Sequence, residues 1–170
     1  MILSLLLLFF EAVLTVFLVG ISVHDIRQHI IKNHVLLWML PFAAGRAVVN
    51  SIIAISGGAV WYHPILSHIG GAVFAFALFL IVAMIFGGIG GGDIKLAGVL
   101  GLAAGFFEIG TALSLGLVAA SIAALIQSYI YKTRHIYTPL APFLSAGFAA
   151  AITVTHFLPQ IESMLRKSIT

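Results

Sequence analysis

The sequence predicts an all-α, polytopic integral membrane bundle of about six transmembrane helices, on three observations. Of its 170 residues 62% are hydrophobic and only 8% charged, against roughly 25% charged in an ordinary soluble domain. The apolar residues fall in continuous runs, several of them near the roughly 20 residues that a helix needs to cross a hydrocarbon core of about 30 Å. These runs also lack the alternating pattern of outer-membrane strands.

The first run, Met1 to Val23, has no Lys or Arg before it and exceeds a typical signal-peptide core, so it is expected to remain as a helix. The second is His34 to Ile55 and the third Ile65 to Phe86. The fourth, Ile94 to Phe107, is short; Lys95 near its start can snorkel to the interface, so it spans with help from its neighbours or re-enters. Thr111 to Tyr131 and Pro139 to Leu158 complete the set. Polar stretches never exceed about ten residues and no internal repeat occurs, so residues 1–170 are expected to form a single domain.

If all six runs span, the 1–2, 3–4 and 5–6 loops share one face, which carries Arg27, Lys32, Lys95, Lys132 and Arg134. The opposite loops, Ser56 to Pro64 and Glu108 to Gly110, hold no Lys or Arg, so the positive-inside rule puts the first face in the cytoplasm and both termini outside. Arg166 and Lys167 in the tail disagree, and the loops outvote them.

The formal charge of +3 is too small and scattered to suggest a nucleic-acid partner. Cysteine is absent, which excludes disulfides, thiolate zinc sites and a catalytic thiol. His24, His29 and His34 stand five residues apart, which does not align them on one helix face, so neither a metal nor any other cofactor is expected. His63, His68 and His156 fall on the outer side, facing the interface. No G-x-S-x-G elbow supports serine catalysis.

Glu11 and Arg46 lie inside the first and second spans, each twelve residues from the cytoplasmic end and therefore about 18 Å deep. An unpaired charge at that depth is costly, so the two are expected to form a structural ion pair, with a proton or ion pathway as the alternative.

The chain has two aspartates, Asp25 after the first span and Asp93 after the third. Two crossings separate them, which returns both to one face. Two carboxyls close together in a low-dielectric site do not both ionise easily: one keeps its proton and the other is free to act as a base. Such a pair can activate water against a carbonyl and protonate the departing amine. Just before Asp93, five glycines stand in six residues from Gly87 to Gly92. Irregular backbone at membrane depth is tolerated only where protein or a water-filled cavity satisfies it, and glycine permits positive φ or close approach of another backbone. The plainer readings stay open: a solvated Asp25, an Asp93 that caps a helix, and glycines that serve helix packing.

These residues resemble the type IV prepilin peptidases. Gly90-Gly91-Gly92-Asp93 followed by Ile94 and Lys95 is similar to that family's G-x-G-D motif with its downstream lysine. Asp25 followed by Ile31 and Asn33 resembles its Asp-x5-Ile-Pro-Asn stretch, with Lys32 in place of the proline. Thr138 to Gly147, "TPLAPFLSAG", resembles its P-F-G-P-F-L-x-x-G segment, with Leu140 and Ala141 replacing Phe-Gly.

The resemblance implies a cytoplasmic-membrane aspartic endopeptidase whose catalytic residues are Asp25 and Asp93. It further implies that Asn33, Gly90, Gly91, Gly92, Lys95, Pro139 and Pro142 shape the site or bind substrate. The partners implied are prepilin-like precursors with a short basic leader and a hydrophobic helix, cut between the two at the cytoplasmic face. Larger members carry a cysteine-rich zinc domain between the first two helices and N-methylate the product. Here that loop runs only from His24 to Asn33 without Cys, so no methyltransferase activity is expected. The rival readings are a small transporter or channel that uses Asp25 and Asp93 as ion sites, and a non-catalytic subunit of a secretion or pilus assembly.

Overall fold

A computed structural model describes residues 2–28, 30–86, 89–131 and 139–169, the side chains of 86, 128, 130, 131 and 156–169 excepted. Helices account for nearly all of the described residues: α1 (Ile2–Gln28), α2 (Asn33–Ser56), α3 (Tyr62–Phe86), α4 (Gly91–Ala104), α5 (Phe106–Tyr131) and α6 (Ala141–Ile169). By length and composition α1, α2, α3 and α5 can each cross a membrane. At 14 residues α4 rises about 21 Å, less than the hydrocarbon core. The described apolar part of α6 is Ala141–Thr155. Lys132, Arg134, Thr138, His29, Gly87, Gly88 and the side chains of His156, Arg166 and Lys167 lie outside the described residues.

Each of the first two helices buries one stripe. On α1 it is Leu7, Glu11, Leu14, Leu18, Ile21 and Asp25, alternating steps of four and three, the spacing that keeps residues on one helix face. On α2, Leu36, Met39, Ala43 and Arg46 do the same. The remaining faces present exposed Leu, Ile, Val and Phe, as a bundle solvated by lipid tails does.

Lipid tails are as apolar as the side chains, so helices associate in membranes through close contact rather than hydrophobic exclusion. The pairs α3–α4 and α5–α6 show this. A Cβ placed on Gly71 of α3 would lie 2.6 Å from the Gly101 carbonyl oxygen of α4. On Gly116 of α5 it would lie 2.8 Å from the Phe143 carbonyl oxygen of α6. The two backbones in each pair thus touch with no side chain between them. α4 is the central helix, packed on α2, α3, α5 and α6, with eight of its 14 residues buried.

Three expectations are corrected. α1 continues past Val23 to Gln28, so Asp25 sits on a helix and not in the loop after it. The fourth helix ends at Ala104 and the fifth begins at Phe106, not Thr111. A single residue makes that connection: Gly105, at φ +86°, a conformation that side chains disfavour. Glu108 is therefore in the first turn of α5 rather than in an outer loop. Last, His68 is buried on α3 and donates from Nδ1 to the Leu102 carbonyl at 2.9 Å, so it caps α4 instead of facing the interface. Exposed Trp61 and Tyr62 stand at the α2–α3 turn, where amphipathic aromatics anchor a helix at the lipid boundary.

Candidate active site

Asp25 extends the buried stripe of α1 by one more turn beyond Ile21 and is only 5% exposed. Its Oδ2 accepts a hydrogen bond from the Ala141 N–H at 3.3 Å, the first residue of α6. The leading N–H groups of a helix have no partner within it, and here one is directed at a carboxylate. Pro142, next in line, occupies a helix start where a missing N–H costs nothing; it and Pro139 are half-buried. One turn further on, Ser22 Oγ donates to Ser145 Oγ at 3.0 Å and repeats the α1–α6 link.

Asp93 lies in the first turn of α4, outside the four membrane-length helices. Its N–H bonds the Gly90 carbonyl at 3.0 Å. Oδ1 is buried without a hydrogen-bond partner. Burial first and the charge of Asp25 second raise the carboxyl, a hydrogen bond from the Gly90 backbone opposes them, and the result is a shift from an ordinary 3.8 to about 6. The two acids therefore share one electrostatic environment. The backbones of the two helices that carry them do not approach closely; side chains of both meet in the common core.

Among the described glycines before Asp93, Gly90 to Gly92, what counts is space rather than unusual dihedrals. Gly90 is extended at φ −69°, ψ 145°, and the positive-φ glycines among the described residues are Gly58 and Gly105. Gly92 is the one that demands its residue type: a Cβ there would stand 2.7 Å from Cβ of Ile31, in the α1–α2 connection. Gly91 has open space around it. Next to this contact Lys95 Nζ donates to Asn33 Oδ1 at 2.9 Å, tying α4 to the start of α2. Two openings reach the region: a groove of about 650 Å³ between α1 and α2 and a cleft of about 510 Å³ around Asn33 and Lys95.

Deeper in the bundle, Arg46 is 1% exposed. Its Nε and Nη2 donate to Glu11 Oε1 at 3.2 and 3.1 Å, and Nη2 also donates to Glu108 Oε2 at 3.1 Å. Nη1 donates to the Ala103 carbonyl, and the guanidinium lies 5.9 Å from the Phe148 ring centroid. One cation thus gathers α1, α2, α4, α5 and α6. Sequence reasoning missed Glu108, His68 and the α6 amide on Asp25. The mid-span Arg46 was a signal for a second acid, because one buried guanidinium has five donors to satisfy. Among the described residues no three His, Asp or Glu side chains converge in a way that could hold a metal ion.

Residues 12–155 match the type IV leader peptidase family. The chain is also 30% identical over 133 residues to the prepilin leader peptidase/N-methyltransferase of Bacillus subtilis (strain 168). That alignment takes in 76% of this chain and 49% of the relative, so the chain spans about half the relative's length. No solved structure matches it significantly.

Proposed function

The chain belongs to the type IV leader peptidase family, and on that premise we propose that it is a membrane aspartic endopeptidase. Its substrates are prepilin-like precursors, from which it removes the short basic leader at the cytoplasmic face of the inner membrane. The observation that carries this reading is a pair of acids drawn out of solvent at the helix ends, Asp25 buried against the α6 start and Asp93 with a buried, unpartnered Oδ1. Burial and the charge of Asp25 both lift the Asp93 carboxyl, the behaviour of two acids that serve one water.

In this reading the reactive form is the one in which Asp93, lifted to about 6, carries the pair's proton, a fraction that falls as pH rises above about 6. Asp25, oriented by the Ala141 N–H, takes a proton from a water that attacks the scissile carbonyl. Asp93 then protonates the carbonyl oxygen or the departing amine, and no covalent intermediate or cofactor is required. Gly92 lets Ile31 pack close against the α4 start. Asn33 and Lys95, joined by their hydrogen bond, set the floor of the adjoining cleft, where the apolar segment after the cut would leave the site. Pro139 and Pro142 hold the α6 start on Asp25. Glu11 and Arg46 are structural. Residues 1–170 act as one domain, and the cysteine-free stretch between α1 and α2 argues for cleavage without N-methylation by this segment.

The test is cleavage of a full-length prepilin co-expressed in membranes with wild type, Asp25→Asn or Asp93→Asn, with insertion of each variant checked. Wild type is expected to cut, and each variant to be present and inactive. A variant that inserts normally and still cuts would remove that aspartate from the mechanism.

A further inference from the structure

The groove between α1 and α2 has a volume of about 650 Å³, within the range of a small-molecule site, roughly 300–1,000 Å³. Its two ends differ in chemistry. At the aspartate end the lining holds its polar side chains, His24, Lys32 and His34, beside Ile31 and Val35; beyond them it is apolar, past Gly20 and Val16 as far as Phe9. No acid is among its described lining residues, and Asp25, one residue from His24, directs its carboxylate to α6. His24 Nε2 is buried and has no hydrogen-bond partner. Lys32 is the N-cap of α2 and supplies no side-chain cap, so the leading N–H groups of that helix add to the positive character of this end.

The groove's length decides between occupants. From Phe9 to His24, α1 rises about 22 Å at 1.5 Å per residue. A membrane is about 40–45 Å thick with its headgroups, so one leaflet is about 20–22 Å deep. A membrane-spanning helix would need about 30 Å of apolar length. The groove thus matches one leaflet, polar at headgroup depth and apolar to the midplane.

We propose that this groove is a binding site for one anionic phospholipid of the leaflet on the aspartate side. Its phosphate sits against the Lys32 ammonium and accepts an N–H donor from exposed His34, and an acyl chain lies along Gly20 and Val16 toward Phe9. The site does not depend on the peptidase reading. Lys32 supplies the charge preference, and one basic group at a lipid surface is worth about a fivefold change in affinity.

The experiment is native mass spectrometry of the purified full-length protein titrated with phosphatidylglycerol or phosphatidylcholine of identical chains. Wild type is expected to retain phosphatidylglycerol preferentially. Lys32→Gln should weaken phosphatidylglycerol binding about fivefold and phosphatidylcholine binding less, so that the preference narrows. Gly20→Leu fills the groove from a position with open space around it and should weaken both lipids. Equal retention of the two lipids by wild type, or an unaltered preference in Lys32→Gln, overturns the proposal. So does displacement of the lipid by an apolar helical peptide that binds wild type but not Gly20→Leu, which would give the groove to a helix. Lys32 is exposed, so its variant decides the matter even if Gly20→Leu fails to fold.

Discussion

Asp93→Asn should stabilise the protein at neutral and alkaline pH while abolishing its proposed activity. The Asp93 carboxyl is lifted from 3.8 to about 6, first by burial and then by the charge of Asp25. With the folded value above the unfolded one, the fold favours the protonated acid. The stability this group contributes is full below about pH 4 and is lost as pH rises through about 6. A shift of about two units corresponds to roughly 3 kcal/mol. Asp93 is only partly buried, and halving that figure for solvent screening leaves about 1–1.5 kcal/mol. Asparagine keeps the shape and cannot ionise. The variant should therefore match wild type at pH 4 and exceed it by about 1 kcal/mol at pH 8. Unfolding in detergent at both pH values, followed by the fluorescence of Trp38 and Trp61, measures the difference. A gap that is the same at pH 4 and pH 8, or a variant less stable than wild type at pH 8, refutes the reasoning.

Asp25→Asn should lower the pH at which stability declines, because it removes the second cause of the Asp93 shift; an unmoved midpoint in the same unfolding profile would mean that the two acids do not interact. Arg46→Met should cost about 3–5 kcal/mol by leaving buried carboxylates without their cation. Exchanging the charges of Glu11 and Arg46 should not restore stability, since a carboxylate at position 46 would face Glu108 and the Ala103 carbonyl; denaturant unfolding of the single and double variants checks both statements. Gly101→Ala should cost about 1–3 kcal/mol by overpacking, because its Cβ would meet the Gly71 backbone, and a variant as stable as wild type would contradict the close α3–α4 approach.

The bundle was legible because a membrane imposes one requirement on every span, apolar length, and composition shows it directly. Boundaries were less so. The sequence placed Asp25 in a loop because helix ends were read from charge, whereas the Leu7 to Ile21 stripe continues through Asp25 in steps of four and three. That periodicity was available and outranks the charge. The α4–α5 connection was misread for a different reason. Gly105, Phe106 and Phe107 are continuous in hydropathy, and only the packing of Gly101 and Gly105 against Gly71 fixes where the chain reverses. The Ala141 amide on Asp25 joins residues 116 positions apart, a contact that local pattern does not encode. The glycine run pointed to the right neighbourhood, but among its described members, Gly90 to Gly92, the need met is room at Gly92 for Ile31, not the positive φ that glycine also permits.

The central claim is that Asp25 and Asp93 act as one unit on one water. The most direct measurement is kcat/KM for prepilin cleavage by purified, reconstituted wild type, Asp25→Asn, Asp93→Asn and the double variant. The account predicts that each single change lowers it by roughly 10³-fold or more and that the double variant falls no further, since residues acting as a unit are not additive. Losses that multiply in the double variant, or a single variant that retains wild-type cleavage, would contradict it.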